Sequence, residues 1–465
     1  MKKTKIIATL GPSSSNQKIL KKMIENGLNV ARINFSHGTP KTNQATIDLI
    51  KEVRTKLNAS LSIMVDTRGP EVRVKTFEDG YVTLKKGQEF ALWSENKLGN
   101  QTGVAITEPS ILPRIKVGDI ILANDGLIVL KVVSKGLNYV TTKVQTGGKL
   151  SNNKGLTFKD FDLKLPYISE KDRKDLIWAF KNKCDYVACS FVTCKQDILE
   201  IKKLMEKCKY SCKIIAKIES SLGIKNLNEI LDVCDGVMVA RGDLGVEYPV
   251  SKLPGLQTQI LKVARDKQKI SIVATEMLES MIHNPRPTRA EVSDVANAIR
   301  ECASAIMLSA ETSVGEYPDI AVKTMTDIAM ETEKEIDYEN IISHTKIKDT
   351  MANITTTTAI KISHKLNTKA IAICTSHGKM ANYISTLLPK CNIYAITNNQ
   401  NTYYQMGLLR GVLPIYLPKF DEKNIFTHIS DELLKQKLVK KGDNIVLVTG
   451  TTDEFSNVVK INTID

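Results

Sequence analysis

At 465 residues the chain exceeds one ordinary domain, and two or three are expected. An apolar fraction of 42% with 25% charged residues excludes a disordered chain, and no apolar run approaches the ~20 residues of a membrane span, so a cytoplasmic protein without membrane association is expected. The formal charge of +14 is scattered rather than gathered in a tail, and aromatics make up only 5%, which argues against a nucleic-acid partner and for anionic metabolites. The nine cysteines lack zinc-site spacing and many sit in apolar runs, so reduced thiols are expected.

The chain opens with an apolar strand at 5–10 and a helix at 14–26 that starts among Ser and Asn and stops at Gly27. A strand at 29–34, a helix at 42–57 and a strand at 60–67 follow. From about 71 to 163 the rhythm changes to short β runs with Gly-rich turns, at 81–84, 89–93, 119–122, 127–133 and 139–144. This predicts a small all-β insertion. A helix at 169–183, capped by Ser169, then restores the alternation. Apolar runs at 186–191, 213–219, 236–241, 271–276 and 305–310 are separated by helical segments. Three strands before the insertion and five after it give the (β/α)8 TIM-barrel pattern of an α/β protein. Beyond residue 336 strands and helices alternate again, which predicts a C-terminal open αβ domain. The expected division is 1–70 and 164–337 for the barrel, 71–163 for the β lid and 338–465 for the C-terminal domain.

In such barrels chemistry lies at the C-terminal strand ends. The run 213–219 ends in Lys217 and Glu219, two residues apart and so on one face of a strand. Alone, they fit an ion pair as well as a site. The other strand ends supply Arg32, Asn34 and Ser36; Asp66, Thr67 and Arg73; Ser190; Arg241, Gly242 and Asp243; Thr275 and Glu276; and Ser309 to Thr312. Three cations, Arg32, Arg73 and Lys217, suit phosphate. Glu219 and Asp243 offer hard oxygen ligands for Mg²⁺, with substrate oxygens completing the shell. Asn34, Ser36, Asp66 and Thr67 fit a monovalent cation better than a second divalent one. The amides of the 241–243 turn, which opens a helix, are placed to hold a carboxylate. Phosphoryl transfer, which depends on positioning and charge neutralisation, matches this set. In that reading Lys217 and Glu219 serve separate groups rather than each other.

These stretches resemble the pyruvate kinase family. The matching segments are 5–12 (KIIATLGP), 31–38 (ARINFSHG), 66–73 (DTRGPEVR), 214–219 (IIAKIE), 238–247 (MVARGDLGVE), 274–281 (ATEMLESM), 284–291 (NPRPTRAE) and 307–312 (MLSAET), in order along the barrel. The likeness continues through 375–389, and the β insertion resembles the family's mobile lid. It implies conversion of phosphoenolpyruvate and ADP to pyruvate and ATP. Lys217 would stabilise the phosphoryl group in flight, and Arg32 and Arg73 would grip phosphates. Glu219 and Asp243 would hold Mg²⁺ or Mn²⁺. Gly242, Asp243 and Thr275 would position the substrate carboxylate. Asn34, Ser36, Asp66 and Thr67 would bind K⁺, and Glu71 stands where a Glu accompanies K⁺ dependence. Asn34, His37, Arg73 and Lys154 would contact the nucleotide. The enolate would be protonated near Thr275, through water and Ser309. The family is usually a homotetramer.

The chain departs from the family pattern in places. Glu276 stands where Gln is usual, Ala310 replaces a common Gly, and Arg68 replaces a common Lys. In the lid, 157–160 reads TFKD rather than Asn-Leu-Pro-Gly. The candidate effector loop 397–402 offers no cation and the loop 449–454 adds acid, so activation by a sugar bisphosphate is not expected. Neither a long N-terminal extension nor an appended phosphohistidine domain is expected. A Mg²⁺-enolate lyase or aldolase on the same barrel is the second reading. The lid, Arg73, Lys217 and the K⁺-type cluster argue against it. A catalytically silent or nucleic-acid-binding protein, suggested only by the net charge, is the third.

Overall fold

The computed structural model describes residues 1–36, 40–159, 161–419, 425–449 and 458–465. Eight parallel strands close a barrel: β1 (Lys5–Thr9), β2 (Val30–Asn34), β3 (Ser62–Asp66), β4 (Tyr186–Cys189), β5 (Lys213–Ile218), β6 (Gly236–Ala240), β7 (Ile270–Ala274) and β8 (Ala305–Leu308). Each pairs with the next, and β8 closes on β1 with Lys5 opposite Ala305. These are the eight predicted runs, seven of them trimmed at their C-terminal ends, while the second ends at Asn34 as predicted. At two strands the trimming has a backbone cause. Phe191, Thr275 and Glu276 take φ of 54°, 69° and 52°, outside the strand region, so the chain turns where β4 and β7 reach the rim. The first predicted helix also starts later than expected, at Gln17–Glu25. Asn16 caps it, while Ser14 Oγ accepts from the Gly11 amide instead.

The two-residue period of a strand sorts the barrel. Ile6, Ile63, Val187, Ile214, Val237 and Ile306 point outward into one apolar cluster with the helices. Ile7, Met64, Ala188, Ile215, Met238 and Ile272 belong to a second cluster, which runs on into the C-terminal domain through Met406, Leu408 and Leu409. Continuing the same count toward the rim brings Arg32, Asn34, Asp66, Ser190, Lys217 and Glu219 onto the inward face.

Between β3 and β4, residues 72–158 form a seven-stranded sheet with a separate two-stranded ribbon, around an apolar cluster that includes Phe90, Leu92, Ile121 and Val140. The five β runs read from the sequence are present. Four further strands, Val72–Arg73, Gly103–Ala105, Gly148–Ser151 and Gly155–Phe158, were not anticipated. They span only two to four residues, too short for alternation to register. The C-terminal sheet runs in the order Val412–Tyr416, Asn392–Thr397, Ala370–Cys374, Asn444–Thr449, Val458–Thr463, with only the last strand antiparallel. It is joined to the barrel's N-terminal mouth by polar links as well as apolar ones. Lys5 Nζ donates to Val412 O at 2.7 Å, and the Tyr186 hydroxyl donates to Gln405 O.

Candidate active site

The inward-facing charges at the rim form one connected group. Lys217 Nζ lies 2.9 Å from Glu219 Oε1 and 3.2 Å from Asp66 Oδ1, and donates to Ser190 Oγ at 2.6 Å. Asp66 Oδ2 accepts from Arg32 Nε at 2.8 Å and lies 2.7 Å from Nη2. Arg32 Nη1 donates to Thr9 Oγ1 at 2.7 Å. The Asp66 and Glu219 side chains are each 1% exposed and Lys217 is 11% exposed. Lys217 and Glu219 therefore pair with each other, the ion pair that their spacing alone also fits. Both project into the same buried layer, where an unpaired charge would be costly.

The electrostatics divide the group. Asp66 is held below the ordinary carboxylate range: Lys217 and Arg32 outweigh its burial. Lys217 is held above the ordinary lysine value, because Asp66 and Glu219 overcome burial and the repulsion of Arg32. Glu219 is pushed upward by burial and by the charge of Asp243, against the pull of Lys217 and of the Phe191 amide. Its Oε2 accepts that amide at 2.5 Å, a bond that the left-handed turn at Phe191 makes possible. Its Oε1 is held only by the side chain of Lys217, at 2.9 Å, so that side of the carboxylate has no backbone donor. A buried carboxylate oxygen held by a side chain alone, beside a second carboxylate, is a hard-oxygen donor set suited to a small divalent cation. Asp243, in contrast to Glu219, is exposed, in the first turn of the helix Arg241–Glu247. Among the described residues no cluster of three or more His, Cys, Asp or Glu is grouped for metal binding, so protein ligands beyond these two are few.

The other predicted residues fall around this layer. Asn34 stands opposite Asp66 in the β2–β3 register, and its Oδ1 accepts from the Ser36 amide at 3.0 Å. Thr67 Oγ1 accepts from the Ser190 amide at 3.2 Å. The four oxygen-bearing residues assigned to K⁺ are thus gathered at two adjacent strand ends. The Gly242 amide, expected to be open for a carboxylate, donates to Thr275 Oγ1 at 2.9 Å, so these two are joined. The Ser309 amide donates to Glu311 Oε2 at 2.7 Å. Arg73 and Glu71 form a two-bond pair, at 2.7 and 2.9 Å, and Glu71 also pairs with Arg68. Arg73 Nη1 reaches Asn153 O at 2.8 Å and pairs in register with Gly155, which brings Lys154 of the lid alongside. Lys154 itself lies 3.6 Å from Asp125. A Cβ built on Gly126, next to Asp125, would meet Val246 at 3.5 Å, so the lid approaches the helix that carries Asp243. Glu276 is exposed. His37, Asp160 and residues 450–454 of the C-terminal loop lie outside the described residues.

Three residues with evident roles had no assignment from the sequence. Ser190 bridges Lys217 and Asp66, accepting from the first and donating to Asp66 Oδ1 at 3.2 Å. Thr9 Oγ1 accepts one arm of Arg32 and donates its hydroxyl to Leu308 O at 3.0 Å. Glu311, 1% exposed, braces Ser309 and, through Oε1, the Leu278 amide beyond β7. Counting in twos along β1 and β4 would have found the first two.

Residues 1–322 match the family model described as pyruvate kinase, barrel domain, and residues 353–462 match pyruvate kinase, alpha/beta domain. A curated pyruvate kinase from Geobacillus stearothermophilus is 38% identical over all of this chain and 80% of its own length. One from Chlamydia muridarum is 40% identical over 92% of this chain and 90% of its own. The crystal structure of a pyruvate kinase from Cryptosporidium parvum superposes with a TM-score of 0.95 at 32% identity, covering all of this chain and 96% of that one. With both family domains matched in order, and with this charged layer lying inside the first of them, the chain belongs to the pyruvate kinase family.

Proposed function

We propose that the chain transfers the phosphoryl group of phosphoenolpyruvate to ADP, giving pyruvate and ATP, at the inward-facing layer of Arg32, Asp66, Lys217 and Glu219. One observation supports this site above others: the buried Glu219 Oε1 is held by a side chain, the Lys217 ammonium at 2.9 Å, which is itself held charged, so a ligand can take the place of either partner. A bound Mg²⁺ or Mn²⁺ on Glu219 and Asp243 would neutralise phosphate and enolate oxygens. Lys217 draws the charge of the phosphoryl group as its bond to the enol oxygen breaks and its bond to the nucleotide forms. Arg32, anchored by Asp66 and Thr9, and Arg73, anchored by Glu71, present fixed guanidinium forks to phosphate. Gly242, Asp243 and Thr275 orient the carboxylate. The enolate carbon takes its proton near Thr275, by way of water and Ser309. Asn34, His37, Arg73 and Lys154 serve the nucleotide, and closure of the lid excludes water.

Asn34, Ser36, Asp66 and Thr67 hold K⁺, with Glu71 in place of a built-in cation. The chain divides at 1–70 with 164–337, at 71–163 and at 338–465, works as a homotetramer and resides in the cytoplasm. No helix among the described residues is long and apolar enough to cross a membrane. The test is a coupled assay: pyruvate is expected to form only with ADP present, and to slow strongly when Na⁺ replaces K⁺. Pyruvate released from a larger oxo-acid without ADP would replace the kinase reading with the aldolase one. A rate indifferent to K⁺ would remove the monovalent site.

A further inference from the structure

Two consecutive residues beyond the C-terminal end of β7 leave the strand in the left-handed region, Thr275 at φ 69° and Glu276 at φ 52°. That conformation is uncommon for any side chain and an outlier for a β-branched one. Such backbone persists only where its surroundings over-determine it, and it gathers at functional sites. Here one side chain grips both residues. Arg241 Nη2 donates to Thr275 O at 2.7 Å and to Glu276 O at 3.1 Å, and lies 2.9 Å from Met277 Sδ. Its other arm, Nη1, donates to both carboxylate oxygens of Asp294, at 2.8 and 2.7 Å. Asp294 belongs to the helix Arg289–Arg300, between β7 and β8. The Arg241 side chain is 12% exposed. A guanidinium is always charged and its fork is rigid, so it holds two carbonyls and a carboxylate in one fixed geometry.

The same turn reaches the residues assigned to the substrate. Arg241 opens the helix Arg241–Glu247, so its backbone leads directly into Gly242 and Asp243. The Gly242 amide donates to Thr275 Oγ1 at 2.9 Å, and Thr275 Oγ1 donates to Ala274 O at 2.6 Å. The Thr275 hydroxyl is therefore set by two backbone groups, while the Thr275 backbone is set by Arg241. Both terminal nitrogens of Arg241 are committed to protein groups, which fits a part in positioning rather than in contact with substrate.

We propose that Arg241 is a positioning residue for protonation of the enolate: by gripping the carbonyls of Thr275 and Glu276 it holds the left-handed turn that fixes the Thr275 hydroxyl and the Gly242 amide beside the substrate. This rests on the assignment of Gly242 and Thr275 to phosphoenolpyruvate. Arg241→Gln, with Arg241→Lys and Asp294→Asn as milder variants, tests it in the full chain. Arg241→Gln is expected to lower kcat on the order of ten- to a hundredfold, the scale of misplacing a reacting group. The solvent deuterium isotope effect on kcat should rise about twofold as proton delivery becomes the slow step. Hydrogen exchange at the Gly242 amide, which needs no turnover, should quicken about tenfold as its bond to Thr275 loosens. Arg241→Lys keeps a donor for the carbonyls but not the fork, and should recover part of each loss. Asp294→Asn should show the same changes at smaller size. Wild-type values of either the isotope effect or the Gly242 exchange in Arg241→Gln would overturn the proposal, even with a lowered Tm. Should that protein not fold, wild-type values of either in Arg241→Lys would do so. A wild-type chain that forms no pyruvate from phosphoenolpyruvate and ADP overturns the kinase reading instead, and the Gly242 exchange still decides whether Arg241 holds the turn.

Discussion

The two ends of the barrel bury the same residue types and hold them differently. At the N-terminal mouth, Lys3 Nζ donates to Pro389 O at 2.8 Å and Lys5 Nζ to Val412 O at 2.7 Å. Arg54 donates from Nη1 to Leu61 O and to Asp185 Oδ2, both at 3.1 Å, and its guanidinium lies 3.5 Å over the Tyr404 ring. Asp185 Oδ2 also accepts the Ile63 amide at 2.7 Å. Each of these charges has at least one fixed backbone partner, Arg54 and Asp185 in addition to each other, and Lys3, Lys5 and Arg54 reach groups of the C-terminal domain. At the rim, Arg32, Asp66, Lys217 and Glu219 end mainly on one another and on Ser190 and Thr9, and Glu219 Oε1 has Lys217 rather than backbone as its partner. A buried charge tied to backbone is part of the frame. A buried charge tied to another side chain can exchange its partner for a ligand.

Removing a charge should therefore cost turnover at the rim and stability at the mouth. Lys217→Met carries the largest expected effect, a fall in kcat of about 10³-fold or more, the scale of losing a preorganised charge stabiliser. Phosphoenolpyruvate binding should be largely kept. The fold should also survive, since Asp66 retains Arg32, and Glu219 retains the Phe191 amide and a carboxyl already pushed toward its neutral form. Retained turnover would take Lys217 out of its role. Arg54→Met is expected to do the reverse. It strands Asp185 in the interior, at about 3–5 kcal/mol. Thermal unfolding should shift sharply downward while kcat measured well below the new Tm stays near wild type. A collapse of kcat with Tm intact would erase the distinction between the two ends.

How much of this was legible in the sequence follows from the same physics. The eight barrel strands were readable because each is a near-continuous apolar run bounded by turns, which parallel strands buried on both faces require. Lys217, Glu219, Arg32 and Asp66 were readable because charge at the end of such a run is conspicuous. Ser190 and Thr9 were not, since a hydroxyl at a strand end looks like any turn residue until the inward face is counted across strands. The direct contact between Lys217 and Glu219 was not fixed by the sequence, because spacing gives a shared face but not the distance between side-chain tips. The lid strands of two to four residues carried too little pattern. The links from Lys5 to Val412 and from Tyr186 to Gln405 depend on how the barrel and the C-terminal domain pack together, which no local pattern encodes.

Ser190→Ala probes the rim at smaller amplitude. The hydroxyl accepts from Lys217 at 2.6 Å and donates to Asp66 at 3.2 Å, so it holds the ammonium in place without supplying charge. Loss of one charge-assisted hydrogen bond is worth roughly 1.5–3 kcal/mol, which predicts a fall in kcat of about ten- to a hundredfold. Thr at the same position should restore much of it. A loss confined to Tm, with kcat unchanged, would place Ser190 with the frame.

The smallest effect tests the mouth by pH. Burial pushes the Asp185 carboxyl up to about 6, against the pull of Arg54 and the Ile63 amide. The unfolded chain releases that proton near the ordinary value of about 3.9. The folded state therefore holds it more tightly, and the stability gained is full below about 3.9 and lost as pH rises through about 6. Between pH 5 and pH 7 this group alone should lower wild-type stability by about 1 kcal/mol relative to Asp185→Asn, which cannot titrate. Paired unfolding curves at the two pH values read the difference directly. If the gap between the two proteins stays constant, Asp185 is ionised throughout and its pairing with Arg54 outweighs its burial. The mouth would then hold charge as firmly as the rim does, and only the side-chain partner of Glu219 Oε1 would still set the two ends apart.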